Sequence, residues 1–181
     1  MNSFYDLSKL KNTVVVTNSA GEQSVGLNLV VYNGADVVAQ CLAGNPLYRI
    51  SHIAFEYENT AGTPAGGTAA RTDTVASALL ALVNPRDYLR AALSASPLIT
   101  SGGASYVGNQ VTFSATSTAS TGVLGRTFSA GSNSKIYAVS LLAAPTGTYT
   151  GDIMFARYIL GTPLAAVGAG QVNGTWTVVA N

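Results

Sequence analysis

The clearest pattern in the chain is a strict alternation of apolar and polar side chains from Ser51 to Asn59. One set of alternating positions is apolar and consists of Ile53, Phe55 and Tyr57. The other set is mostly polar and consists of His52, Ala54, Glu56 and Glu58. A period of two over this length predicts a β-strand with one packed face and one polar face.

Similar short runs, rich in β-branched and aromatic residues, predict further strands along the chain. They lie at residues 12–17, 25–32, 37–42, 87–93, 109–115, 135–142, 152–160 and 174–179. Asn33-Gly34 is a strong hairpin sequence, so the segments on either side of it are expected to pair. The connections up to residue 59 are short enough for a meander of four antiparallel strands.

One segment departs from this pattern and predicts a short helix near residues 74–83. Asp73 or Thr74 can cap its start, and Asn84-Pro85 ends it. The fold class is therefore all-β, an antiparallel β-sandwich of jelly-roll type with one short helix. The expected organisation is an N-terminal arm at residues 1–11 and a single sandwich domain at residues 12–181.

The most informative feature of the composition is the low fraction of charged residues. Only 9% of the 181 residues are charged and the net charge is +1, whereas an ordinary domain has roughly 25% charged residues. No positive field is available to gather nucleic acid or an anionic membrane surface. Hydrophobic residues make up 48%, but no apolar run reaches the ~20 residues of a membrane helix. A surface built from Ser, Thr and Asn suits a subunit that packs against other chains.

The single cysteine, Cys41, excludes an internal disulfide and is expected to be a small buried residue, because alternation groups it with Val37 and Ala39. The segment 1–6 has neither a basic nor an apolar signal region. Synthesis and assembly in a reducing cytoplasm are the expectation.

The only candidate chemistry lies on the predicted strand at residues 51–59. The Cα atoms of Glu56 and Glu58 should lie about 7 Å apart, with His52 about 13 Å from Glu56. Such a carboxylate pair could serve an inverting glycosidase or bind a hard cation. The structural alternative is ion pairing with an arginine on a neighbouring strand. The candidate arginines are Arg49, Arg71, Arg90 and Arg157.

Other catalytic and metal motifs are missing from the sequence. There is no Gly-x-Ser-x-Gly elbow, and one His with one Cys cannot build a zinc site within one chain. We therefore predict no catalytic residue, no cofactor and no metal.

The ends of the chain are the predicted contact surfaces. Residues 158–181 carry no charge, although exposed edge strands normally carry Lys, Glu or Pro. The candidate interface residues are Phe4, Tyr5, Leu7, Leu164, Val167 and Trp176. We expect a homo-oligomer, with a trimer favoured. Trp176 and the tyrosines could alternatively form a sugar-binding platform.

In these features the chain resembles virion proteins of tailed bacteriophages, especially head-decoration or cement proteins and the jelly-roll domains of head and tail fibres. The segments that carry the resemblance are 48–59, 86–90, 133–137 and 152–158. The resemblance implies a non-enzymatic capsid-surface subunit that binds and stabilises a shell protein, with neither nucleic acid nor membrane as partner. The alternatives are a fibre or adhesin domain that binds host glycans and, less favoured, a carbohydrate-active enzyme using Glu56 and Glu58.

Overall fold

The structure, a computed structural model, describes residues 11–59, 68–76, 86–94, 104–108, 110–167 and 171–179. Within these ranges the chain forms ten β-strands, one α-helix and three single-turn helices. The strands are β1 (Lys11–Asn18), β2 (Gln23–Leu27), β3 (Leu29–Val30), β4 (Ile50–Asn59), β5 (Arg86–Ala92), β6 (Ala104–Val107), β7 (Gln110–Ser117), β8 (Ser134–Ala143), β9 (Ile153–Ala165) and β10 (Val172–Val179). The α-helix, α1, spans Tyr32–Leu42, and the single turns are Pro46–Tyr48, Ala130–Ser132 and Tyr149–Gly151.

The strands form two five-stranded antiparallel sheets. The first sheet has the order β2-β1-β10-β7-β6, and the second has the order β3-β9-β8-β4-β5. Both sheets contribute to one large hydrophobic cluster, which forms the layer between them. The predicted all-β antiparallel sandwich is therefore confirmed.

The core contains the apolar face predicted for β4. Ile53, Phe55 and Tyr57 are almost fully buried there, together with Trp176 of β10. Close approach of the sheets depends on Gly174, because a Cβ atom at that position would lie 2.9 Å from the Phe55 ring. The alternating pattern thus placed this face of β4 correctly.

The opposite face of β4 is also buried, so the prediction of a solvated polar face was wrong. Glu56 is 0% exposed and Glu58 is 2% exposed. A second hydrophobic cluster covers this outer side of the second sheet and consists of Val31, Ala54, Val75, Tyr88, Leu142 and Met154. Val123 and Tyr149 pack against the same cluster from neighbouring loops. Connecting segments therefore cover the outer side of the second sheet, which would be exposed to solvent in an ordinary β-sandwich.

The predicted hairpin at Asn33-Gly34 and strand at residues 37–42 were also wrong, because this segment is α1. Gly34 and Val37, three residues apart, are the buried positions of α1. A Cβ on Gly34 would lie 2.4 Å from the carbonyl oxygen of Phe155, so glycine permits close packing of α1 on β9. Tertiary packing of the helix thus overrides the local turn preference of Asn-Gly.

The helical geometry also corrects the prediction for Cys41. Its side chain is exposed on α1, where the thiol donates a hydrogen bond to the carbonyl oxygen of Tyr48 at 3.2 Å. Partial burial raises the pKa of this thiol. The helix predicted near residues 74–83 lies mostly outside the described residues, as does the arm up to residue 10; of that helix, Val75 is described and buried.

Candidate functional site

A cluster of paired charged side chains lies on the outer side of the second sheet. The chain has nine basic and eight acidic residues. Seven of them meet in this region and are paired with one another: Glu56, Glu58, Asp73, Arg86, Arg90, Asp152 and Arg157. We refer to these seven residues as the ion-pair layer.

Glu56 and Arg157 form the centre of the ion-pair layer. Arg157 Nε donates to Glu56 Oε1 at 3.0 Å, and Nη2 donates to Oε2 at 2.5 Å, which gives a bidentate pair. Ser140 Oγ donates to Glu56 Oε1 at 2.6 Å, while Arg157 Nη1 donates to Asp73 Oδ2 at 3.0 Å. Burial alone would lower the pKa of Arg157, but the carboxylate of Glu56 raises it above its ordinary value.

Glu58 is paired with Arg86, directly across from it on β5. The guanidinium carbon of Arg86 also lies 5.0 Å from the centre of the Tyr137 ring, a cation–π distance. The Tyr137 hydroxyl is buried and has no hydrogen-bond partner in the described part of the chain. Burial is the main reason that the pKa of Tyr137 is raised, and the charge of Glu56 adds to it.

Arg90 is paired with Asp152, which precedes β9. Arg90 Nε and Nη2 donate to the two carboxylate oxygens of Asp152 at 3.0 Å each, and Tyr88 Oη donates to Oδ2 at 3.1 Å. The half-buried His52 lies nearby, with Nδ1 2.8 Å from Ser51 Oγ. Burial lowers the pKa of His52 and the charge of Arg90 lowers it further, while Asp152 opposes this change. Among the described residues, His52 forms no ion pair.

Asp87 is a separate buried carboxylate that holds a loop. It accepts hydrogen bonds from the backbone N–H groups of Leu124 and Arg126 at 3.0 and 3.1 Å. The hydroxyl of Tyr57 fixes the same loop, since it donates to the Arg126 carbonyl at 2.7 Å and accepts from the Gly122 N–H at 3.1 Å. The pKa of Tyr57 is raised, chiefly by burial and then by Asp87. Asp87 therefore has a structural role that the sequence pattern did not reveal.

These contacts favour the ion-pair alternative for Glu56 and Glu58. Arg157 was a predicted partner and does pair with Glu56. Arg90 was another predicted partner but binds Asp152, and Arg86, which was not predicted, binds Glu58. Both glutamates are engaged by arginine in the interior rather than facing a cleft. Among the described residues, no group of three or more His, Cys, Asp or Glu side chains could hold a metal ion.

The outer face of the first sheet contains an uncharged region, which is followed along β1 by the position of Lys11. Twelve side chains in three rows across β2, β1, β10 and β7 form this surface, which we call the neutral face. The rows are Leu27, Thr13, Thr177 and Thr112; Val25, Val15, Thr175 and Ser114; and Gln23, Thr17, Asn173 and Thr116. None of the twelve is charged, and Thr116 Oγ1 donates to Asn173 Oδ1 at 2.7 Å within the face.

The predicted interface residues have different positions in the structure. Trp176 and Leu164 are 0% and 4% exposed within the chain itself, so their side chains belong to the core and are not offered to a partner. Val167 is partly exposed. Phe4, Tyr5 and Leu7 lie outside the described residues.

A polar groove lies between α1 and the start of β9. It has a volume of about 370 Å³ and is lined by Asn33, Asp36, Ala39, Gln40, Tyr48 and Ile153. The exposed ring of Tyr32 lies at the N-terminal end of the same helix. Amide, carboxylate and aromatic side chains of this kind can recognise hydroxyl-rich ligands.

No protein family, no curated protein and no solved structure matches this chain. In the described ranges, no helix is long and apolar enough to cross a membrane.

Proposed function

We propose that this chain is a non-enzymatic structural subunit of a bacteriophage virion, a decoration or cement protein on the capsid surface. Its partners are further copies of itself and a shell protein. The proposal combines the resemblance of the sequence with one structural observation. Seven charged residues are paired with one another on the outer side of the second sheet, whereas the twelve side chains of the neutral face carry no charge.

The distribution of charge supports docking against protein. Eight of the seventeen charged residues, the ion-pair layer and Asp87, serve internal contacts, which leaves nine in a chain of 181 residues. Charged side chains are depleted from the cores of protein interfaces, because their desolvation costs free energy. A face of Thr, Ser and Val carries a low desolvation cost and keeps hydroxyl groups available for hydrogen bonds.

The size of the neutral face suits one part of a docking surface. Four strands about 4.8 Å apart, each contributing about five residues, make a surface roughly 19 Å by 17 Å. The projected area is roughly 320 Å², less than half of the ~800 Å² that each partner contributes to a standard interface. A docked shell protein would therefore also contact residues outside this face.

The test is to bind purified protein to gradient-purified phage particles that lack it, and to measure what sediments with the particles. Thr175→Lys places a charge at the centre of the neutral face and should reduce binding at least tenfold. Thr150→Lys is the matched control, because Thr150 is exposed in the loop between β8 and β9, and it should bind normally. Equal binding by both variants would exclude the neutral face as the docking surface.

A glycan-binding fibre or adhesin domain is the second candidate. The groove beside α1 favours it, because Asp36, Asn33 and Tyr48 bring a carboxylate, an amide and an aromatic ring together. Trp176 does not contribute, since it is fully buried. A glycan array with wild type and Asp36→Ala tests this candidate: specific binding that the substitution abolishes would favour it over the capsid role.

The jelly-roll connectivity is the finer part of the proposal. The first and last strands, β1 and β10, pair in the first sheet, and β3 pairs with β9 in the second. Strands from the N-terminal and C-terminal parts of the chain are thus paired with each other in both sheets. The hairpin of β8 and β9 stays within one sheet, so the sandwich would be a variant of that connectivity.

A further inference from the structure

The four outer edges of the two sheets differ in how they are protected against pairing. Edge strands normally carry charges or proline, or are very short, because their free backbone groups can pair with another chain. β5 carries Arg86, Asp87 and Arg90, and β3 has only two residues. β2 has five residues, Gln23–Leu27, with no charge and no proline. β6, the fourth edge, has four residues, Ala104–Val107, and also carries no charge and no proline. β2 is the longer of these two uncharged edges.

The register of β2 shows which of its backbone groups are free. At the turn between β1 and β2, the Asn18 N–H donates to the Glu22 carbonyl at 3.1 Å. Hydrogen-bonded and non-hydrogen-bonded pairs alternate along an antiparallel ladder. Ser24 and Gly26 therefore bond to β1, opposite Val16 and Val14. The three remaining residues, Gln23, Val25 and Leu27, direct their N–H and C=O groups toward the open edge.

These six free groups are complementary to a second copy of themselves. Val25 is the central residue of β2. If a two-fold axis passes beside Val25, that residue lies opposite Val25 of the other copy, and Gln23 lies opposite Leu27. Each of these three positions is then a hydrogen-bonded pair that exchanges two bonds, so all six groups on each strand are satisfied. An isologous contact of this kind closes as a dimer and does not propagate.

The side chains at this edge also fit a second copy. Leu27 is 77% exposed, the largest value among the described large hydrophobic side chains, and Val25 is 59% exposed. In the two-fold register the Val25 side chains are cross-strand neighbours, and Leu27 packs against the stem of Gln23. No like charges are brought together, whereas pairing two copies of β5 would juxtapose its charged residues.

We propose that β2 mediates a two-fold homodimer in which the first sheets of two copies join into one continuous ten-stranded sheet. This deepens the proposed function by naming the self-contact, but it is tested on the purified chain without particles. The contact is small beside a standard interface. Its affinity in solution should be modest, and display of many copies on a shell would strengthen it through effective concentration.

Disulfide trapping tests the register directly. In a Cys41→Ser background, Val25→Cys places two thiols on residues whose Cα atoms would lie about 5.5 Å apart, within the range that a disulfide spans. Leu27→Cys is the matched control, because its copies would be about 14 Å apart along the strands. With oxidised glutathione, Val25→Cys should give a covalent dimer at least tenfold faster than Leu27→Cys. Equal trapping of both, or faster trapping of Leu27→Cys, would overturn the proposal.

Sedimentation velocity supplies a second readout without cysteine. Val25→Lys adds an edge charge at an exposed position and should shift the monomer–dimer equilibrium at least tenfold toward monomer. Thr175→Lys changes the neutral face away from the edge and should leave the equilibrium as in wild type. A wild-type chain that stays monomeric at millimolar concentration would contradict the proposal, as would a dimer that Val25→Lys leaves intact.

Discussion

Replacement of Glu56 by Gln tests the physical basis of the ion-pair layer. Glu56 is fully buried and holds Arg157, itself only 7% exposed, through two hydrogen bonds. Glutamine has nearly the same shape and keeps one oxygen acceptor for Ser140. It removes the negative charge, however. Among the described residues, Asp73 is then the one carboxylate that still accepts a hydrogen bond from the guanidinium of Arg157.

The expected decrease in the free energy of unfolding follows from the burial of the Arg157 charge. Removal of one partner from a buried pair costs about 3–5 kcal/mol, because the remaining charge cannot return to water. We expect the lower end, about 3 kcal/mol, since Asp73 still contacts Arg157. For a domain of this size, 1 kcal/mol changes Tm by about 2–4 °C, so Tm should fall by about 6–12 °C.

Glu58→Gln is the internal control for this experiment. Its partner Arg86 keeps 21% of its side chain exposed and can be solvated when the charge is lost. The expected loss of stability is smaller than that for Glu56→Gln, but it exceeds the value of about 1 kcal/mol or less for exposed pairs, because Glu58 itself is buried. Urea and thermal unfolding of both variants give the comparison. If Glu56→Gln lies within 1 kcal/mol of wild type, or costs no more than Glu58→Gln, the account of a buried and interdependent layer is wrong.

Three further predictions concern the hydrophobic core, the loop held by Asp87, and the buried tyrosines. Phe55→Ala should cost about 3–5 kcal/mol, because the ring is fully buried, and a Tm within a few degrees of wild type would refute that. Asp87→Asn should increase amide hydrogen exchange in the loop that its carboxylate holds, whereas unchanged protection would show that the carboxylate is dispensable. Burial raises the pKa of Tyr57, Tyr88 and Tyr137 in the folded chain, while unfolded tyrosines ionise near pH ~10. Their stabilising contribution is therefore complete below that pH and is lost as pH rises above it. In an alkaline titration, these three tyrosinates should appear only together with unfolding, and their ionisation in the folded state would contradict the burial.

The strands were largely predictable because each has a strong local pattern. β1, β4, β8 and β10 alternate or carry β-branched runs, and their bounds in the structure lie within a few residues of those expected. The helix α1 was missed because Asn33-Gly34 has the chemistry of a hairpin turn, while the reason for helix formation, close packing of Gly34 on β9, is a tertiary contact.

The candidate site was less predictable for a related reason. Alternation identifies two faces of a strand, but it does not show that loops cover the polar face. The charges of Glu56 and Glu58 therefore indicated an exposed face, although arginines on β9 and β5 neutralise them in the interior. Similarly, the uncharged C-terminal segment indicated an interface, whereas Trp176 is used in the core because β10 is a central strand.

The central claim is that this chain is a structural component of a virion, and its copy number in particles tests that most directly. Phage particles from a culture that expresses the chain would be purified by density gradient, and the chain would be quantified by mass spectrometry relative to the major shell protein. The account predicts that the chain bands with intact particles in a fixed ratio to the shell protein across independent preparations. Recovery of the chain only in the particle-free fractions would contradict it.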